Sequence, residues 1–306
     1  MIDPGPSRCG YVAVLGAPNS GKSTLVNSLV GSKVSIVTPK VQTTRTRVLG
    51  IALKGPSQIV YVDTPGIFAP KRRLERAMVK AAWQGAADAD EIVVLVDAAA
   101  AGAHGTVGHD SVLILEGLKG AGRSAILVLN KIDLVDKGRL LGLSQALNRG
   151  GTFSATFMIS ALTGEGVADL QRHLAALMPE GPWLYPEDQL ADIPLRFMAA
   201  ETTREALFLA LRQELPYAAT VETESWEEFQ DGGVKIVQVI FVQRDSQKAI
   251  VLGKGGRQIK AIRESSAAEL ERFLGRRVHL FLFVKVREDW AEDPERYRAI
   301  GLDYER

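Results

Sequence analysis

Nine residues near the amino end, Gly16-Ala17-Pro18-Asn19-Ser20-Gly21-Lys22-Ser23-Thr24, constrain this chain more than any other stretch. They lie between an apolar run, Tyr11 to Leu15, and a segment that places Leu25, Val26, Leu29 and Val30 at helical spacing. Strand, glycine-bounded loop and helix is the setting that the G-x-x-x-x-G-K-[ST] pattern needs. Gly16 and Gly21 let the backbone turn with its N–H groups inward, and the helix start adds partial positive charge, so the loop suits an anionic phosphate. Lys22 would reach the β- and γ-phosphates of a nucleotide, and the Ser23 hydroxyl would ligate Mg²⁺.

Downstream, residues 35–47 are polar, basic and interrupted by Pro39, which reads as a loop. Residues 48–53 and 58–62 predict two strands about a turn at Lys54-Gly55-Pro56, a hairpin that puts an antiparallel edge on an otherwise parallel sheet. The second strand runs into Asp63-Thr64-Pro65-Gly66. There Asp63 would bind Mg²⁺ indirectly and the Gly66 N–H would approach a γ-phosphate. Apolar strands at 91–97, 124–129 and 156–159 alternate with helical spacing at 110–118 and 166–178, the mark of a parallel sheet with helices on both faces.

One of these strands delivers Asn130-Lys131-Ile132-Asp133 at its end. The Asp133 carboxylate accepts two hydrogen bonds, and guanine offers N1–H beside its 2-amino group, whereas N1 of adenine is unprotonated. Two charge-assisted bonds of about 1.5–3 kcal/mol each discriminate by roughly two to four orders of magnitude. Lys131 would lay its stem along the base, and Asn130 would tie this loop to the phosphate loop. A backbone N–H of Ser160-Ala161-Leu162, after the last strand, would meet guanine O6.

At 306 residues, with 46% apolar and 24% charged content, the chain suits two globular domains. Thirty-seven basic residues against 36 acidic leave +1, so attraction to nucleic acid must be local. Cys9 is the only cysteine, which rules out an internal disulfide and suits a reducing compartment. His104, His109, His173 and His279 lack metal-ligand spacing and read as surface or packing residues. No apolar stretch approaches the roughly 20 residues that span a bilayer, and residues 1–7 lack the basic and apolar parts of a secretion signal. A cytoplasmic monomer is expected.

An acidic, proline-containing stretch with Tyr185-Pro186-Glu187-Asp188 marks a linker over 182–192, between a first domain at 1–181 and a second at 193–306. The second begins with a helix, then two strands, 218–226 and 234–243, turned by Gly232-Gly233. Lys248 and an apolar helix end lead to Gly253-Lys254-Gly255-Gly256, followed by Arg257, Lys260 and a second helix over 259–274. A Gly-x-x-Gly loop between helices lets backbone approach a sugar-phosphate chain, as in KH domains that hold about four nucleotides of single strand. A last strand, 278–286, completes the order of a type II KH fold. Between Arg244 and Arg287 lie 11 basic and four acidic residues, a difference of +7 and an electrostatic footprint for phosphate. Phe241, Phe281 and Phe283 read as core side chains.

The ordered set Gly16–Ser23, Thr43-Thr44, Asp63–Gly66, Asn130–Asp133 and Ser160–Leu162 resembles the five guanine-nucleotide motifs of the translation-factor-like GTPases. Gln42-Thr43-Thr44-Arg45-x-Arg47, with the KH-like second half, resembles the Era family of bacterial GTPases that act in small ribosomal subunit assembly. The fold implied is α/β, a P-loop GTPase domain followed by an α+β type II KH domain. The resemblance implies GTP hydrolysis with Mg²⁺, Thr44 (or, as second choice, Thr43) closing on the metal and the γ-phosphate, and binding of 16S ribosomal RNA near its 3′ end within the 30S subunit. It also implies a peripheral contact at the inner face of the cell membrane, which no amphipathic segment demands.

Ile67 follows Gly66 where Ras-like enzymes carry the glutamine that orients the attacking water. Similar GTPases with an apolar residue here use a K⁺ ion held partly by an asparagine of the phosphate loop, and Asn19 stands at that position. The competing reading is that Asn19 only caps the turn. Lys22, Thr44 and Asn19 are therefore the expected catalytic set, with Lys248, Gly253, Lys254, Gly255, Gly256, Arg257 and Lys260 on RNA. Two other classes compete with this reading. An RNA-modifying enzyme would need a paired cysteine or a metal cluster, which the sequence lacks, whereas a structural RNA-binding protein with a nearly silent nucleotide site fits the isoleucine.

Overall fold

The structure, a computed structural model, describes residues 6–104, 108–150, 153–212, 215–288 and 290–304. The expectation about a leader falls mostly on residues 1–5, outside that set, as does the side chain of His104. The chain divides into two compact units, residues 1–192 with 301–306, and residues 193–300.

The first unit is built on a six-stranded sheet of β1 (Arg8–Gly16), β2 (Val48–Lys54), β3 (Ser57–Asp63), β4 (Glu91–Asp97), β5 (Ala125–Asn130) and β6 (Phe153–Met158). The order across it is β2-β3-β1-β4-β5-β6. Only the β2–β3 hairpin is antiparallel. Residues alternate between two cores because successive side chains of a strand face opposite ways. Val12 and Val14 pack beneath α1 (Lys22–Val30) and α6 (Val167–Leu177). Ala13 and Leu15 pack on the other face with α2 (Arg73–Asp88), α3 (Ala98–His104), α4 (His109–Gly120) and α5 (Lys137–Gly150). A doubly covered parallel sheet puts its functional loops beyond the carboxyl ends of the strands.

Residues 183–192, expected to be a linker, instead lie along the hairpin. The reason is apolar: Trp183 and Tyr185 pack against Cys9, Ile51 and Val60. Backbone pairing follows, with the Ile51 N–H donating to Leu190 O at 2.8 Å and the Asp192 N–H to Leu49 O at 3.3 Å. Gln58, fully buried, is the clasp: its Oε1 accepts from the Leu184 and Tyr185 amides at 2.9 and 3.0 Å, and its Nε2 donates to Tyr185 O at 2.8 Å. The last residues also differ from expectation, since 301–306 belong to the first unit.

The second unit runs α7 (Leu195–Ala210), β7 (Ala219–Glu228), β8 (Val234–Val242), α8 (Asp245–Leu252), α9 (Arg257–Leu274), β9 (Val278–Val286) and α10 (Pro294–Ala299). Its sheet has the order β7-β8-β9, antiparallel between the first two strands and parallel between the last two. Leu207, Ile240, Val251, Ile262 and Val284 share its main core. Phe241 is buried, with the Arg296 guanidinium 3.9 Å from its ring centroid. Phe281 and Phe283 depart from the core expectation: they are 47% and 53% exposed, on the face of edge strand β9 opposite Leu280 and Val284. None of the described helices is long and apolar enough to cross a membrane.

Replacing Gln58 by Ala leaves two amides without their acceptor, and we expect a loss of about 2–4 kcal/mol in urea unfolding. The same variant should become cleavable by protease within 183–192 while its sheet remains folded.

Candidate nucleotide and RNA sites

The turn from β1 into α1 carries the phosphate loop, and its conformation explains its composition. Gly21 has φ +97°, and a Cβ there would fall 2.4 Å from Nδ2 of Asn130, so a side chain is excluded on two counts. Pro18, Gly21, Lys22, Ser23 and Thr24 line a cavity of about 430 Å³ that Thr44, Gly66 and Lys131 also line. Lys22 is buried, with Nζ donating to the carbonyls of Gly16 at 3.1 Å and Ala17 at 3.0 Å. Burial holds its ammonium at about 8 rather than 10.5, with the Asp63 carboxylate opposing the shift.

Three oxygens meet at the first turn of α1. Ser23 Oγ lies 2.8 Å from Thr44 Oγ1 and donates to Asp63 Oδ2 at 2.7 Å. Asp63 is fully buried at the end of β3, and burial pushes its carboxyl pKa up against the hydrogen bond from Ser23. Its Oδ1 accepts no close hydrogen bond, and the hydroxyls of Ser35 and Thr44 lie near enough to the carboxylate to oppose that shift. A buried carboxylate with a free oxygen next to two hydroxyls is a donor set that fits a hard divalent cation. Thr44 is the threonine whose hydroxyl faces Ser23, whereas Thr43 Oγ1 bonds Thr38 Oγ1 at 2.6 Å and Lys40 O at 2.8 Å.

Asn130 ties the base loop to the rest, as expected. Its Nδ2 donates to Ser20 O at 2.8 Å, and its Oδ1 accepts the Ala161 amide at 2.9 Å. The Ala161 N–H is therefore occupied. Lys131, at φ +65°, extends its Nζ to Asn19 O at 2.9 Å and to Asp97 Oδ2 at 2.6 Å. Asp97 went unremarked in the sequence because a lone carboxylate after an apolar strand is the usual end of such a strand. Its other oxygen caps α3 through the amides of Ala99 and Ala100, both at 3.0 Å. Asp133 is exposed, as is Leu162.

Asn19 sits at φ +62° with Nδ2 3.1 Å from Pro39 O, which joins the phosphate loop to the loop that carries Thr44. Ile67 is buried in the core, its amide on Gly16 O at 3.1 Å, and Gly66 lies against Pro18.

In the second unit, Gly253, Gly255 and Gly256 all have positive φ, at 69°, 61° and 75°. Open space surrounds the missing Cβ of both Gly255 and Gly256, so backbone is accessible there. Lys254, Arg257 and Lys260 are exposed around this bend, and Lys248 is partly buried on α8.

Comparison with known proteins bears on both units. A family model described as 50S ribosome-binding GTPase matches residues 11–131, and one described as KH domain matches residues 214–291. GTPase Era of Afipia carboxidovorans is 58% identical over 299 residues, covering 98% of this chain and 96% of that protein. GTPase Era of Rhizobium meliloti is 59% identical over 299 residues, covering 98% and 94%. The crystal structure of Era with MgGDPNP and nucleotides 1506–1542 of 16S ribosomal RNA superposes with a TM-score of 0.90 at 37% identity, over 96% of this chain and 99% of that one. With a phosphate loop, a guanine-type loop and a KH unit each in place, the chain belongs to the Era family of GTPases.

Proposed function

We propose that this GTPase is a nucleotide-driven switch that binds single-stranded 16S ribosomal RNA near its 3′ end and assists assembly of the 30S subunit in the cytoplasm. The observation that carries the reading is the meeting of Ser23, Thr44 and Asp63 at the phosphate loop, in a chain whose second unit presents a basic Gly-x-x-Gly bend. The relative solved with a GTP analogue and 16S ribosomal RNA supports the pairing of these two ligands.

In this proposal Ser23 and Thr44 ligate Mg²⁺ directly and Asp63 does so through water. The ion would neutralise charge on the β- and γ-phosphates. Lys22 leaves its two carbonyls for the same phosphates, Gly66 approaches the γ-phosphate, and Asp133 reads guanine. With Ala161 committed to Asn130, guanine O6 falls to the Leu162 amide. Ile67 cannot polarise water, so intrinsic turnover is slow. Turning the Asn19 amide over would set its oxygen beside the Pro39 carbonyl, a pair of neutral oxygens of the kind that K⁺ accepts. A structural RNA-binding protein with little turnover is the second reading, favoured only by Ile67.

Lys22 makes the pH dependence specific. Its ammonium titrates at about 8 without nucleotide, and a triphosphate beside it raises that value, so binding above pH 8 takes up a proton. Calorimetry of binding of a non-hydrolysable GTP analogue at pH 8.5 in buffers of different ionisation enthalpy should detect this uptake, and at pH 6.5 it should vanish. Phosphate release should be several-fold faster in KCl than in NaCl, and equal rates in both salts would remove K⁺ from the scheme. Lys254→Ala should lower the slope of log affinity for single-stranded 16S RNA against log salt by about one, and Lys254→Asp should weaken that affinity at least tenfold in filter binding.

A further inference from the structure

The chain leaves the first unit at Asp192 and re-enters it at Gly301, and both points lie on one strip. The Asp192 amide is hydrogen-bonded to Leu49 O, and Gly301 lies against Thr46, with an added Cβ 3.4 Å from its Oγ1. Both residues line a cavity of about 440 Å³ together with Thr46, Arg47 and Leu49. This strip joins the Thr44 loop to β2.

Beyond Gly301 the chain grips α2. Leu302 is only 3% exposed. Asp303 accepts from Gln84 Nε2 at 3.3 Å and pairs with Lys80 at 3.5 Å. The Tyr304 hydroxyl takes a hydrogen bond from Arg73, whose guanidinium also lies 5.0 Å from the ring centroid. Arg73, Lys80 and Gln84 fall at i, i+7 and i+11, one face of the helix.

The other end of this arrangement is the nucleotide loop. Glu75, in the first turn of α2, accepts from the amides of Lys71 at 2.7 Å and Arg72 at 3.0 Å, and from Gln42 Nε2 at 3.2 Å. Gln42, at φ +56°, is two residues from Thr44. Contacts and two residues of backbone thus join Ser23 through Thr44, Gln42 and Glu75 to α2, and contacts join α2 to the carboxyl-terminal residues.

We infer that residues 301–304 are a nucleotide-dependent latch: they hold α2 while Thr44 is closed on Ser23 and release it when that loop opens. The inference rests on the switch reading above. In the latched state the RNA-binding unit is tethered to the GTPase unit at both of its ends, and in the released state at Asp192 alone. The Asp303–Lys80 ion pair is exposed and such pairs are weak, so the latch can open within a nucleotide cycle.

Hydrogen exchange on the full chain, followed by mass spectrometry with Mg²⁺-GDP and with a non-hydrolysable GTP analogue, tests the latch directly. Peptides covering 301–304 and α2 should exchange at least fivefold more slowly with the analogue; equal or reversed protection overturns the latch. Deleting residues 301–306 should bring the ratio of RNA affinities in the two nucleotide states at least threefold closer to one. The double variant Asp303→Asn with Tyr304→Phe should move it the same way, and serves if the deletion misfolds. An unchanged ratio in a folded variant overturns the coupling of the latch to RNA binding. A ratio of one in the unaltered protein instead sinks the switch reading, and the exchange experiment still decides the latch.

Discussion

One buried amide holds three loops together. Asn130 gives a hydrogen to the phosphate loop at Ser20 and takes one from the chain after β6 at Ala161, so both segments are referred to one side chain. It is 2% exposed, and an amide so placed is costly unless both of its halves are satisfied. Gly21 belongs to the same constraint, since only a residue without Cβ leaves room for Nδ2. The phosphate loop and the loop that follows β5 are therefore held in register by the protein itself.

The electrostatics of the cavity follow from burial on the same strand ends. Lys22 and Asp63 are both desolvated, the ammonium pushed down and the carboxyl pushed up, and each opposes the other's shift. Under the function proposed above, a triphosphate with a divalent cation would offset both buried charges, and binding energy would come from that relief rather than from new apolar contact. Breaking either partner alone strands the other.

Much of this was legible because the parallel strands are continuous apolar runs and the motifs end them. The hairpin, the strand order of types and the Gly-x-x-Gly bend between two helices were read from spacing alone. α2 was not, because its buried face is Ala77, Ala81, Ala82, Gly85 and Ala86 around Met78, and small residues give little contrast with the polar side. Residues 183–192 read as a spacer because acidic residues and prolines mask Trp183 and Tyr185, the two side chains that dock it. Which of Thr43 and Thr44 turns its hydroxyl toward Ser23 is not legible in the sequence, since neighbours of the same type differ only in the direction the loop gives them. Phe281 and Phe283 were misplaced because alternation on an edge strand names two faces without saying which is covered.

The strap over the hairpin has a further consequence for the life of the protein in a crowded cell. β2 is an outermost strand, and an uncovered outermost strand offers its N–H and C=O groups to any extended peptide that meets it. Leu190 and Asp192 already occupy those groups at Ile51 and Leu49. The stretch that connects two functions thereby shields the module from self-templated aggregation, and a lesion that frees it would first be felt as poor solubility rather than as lost chemistry.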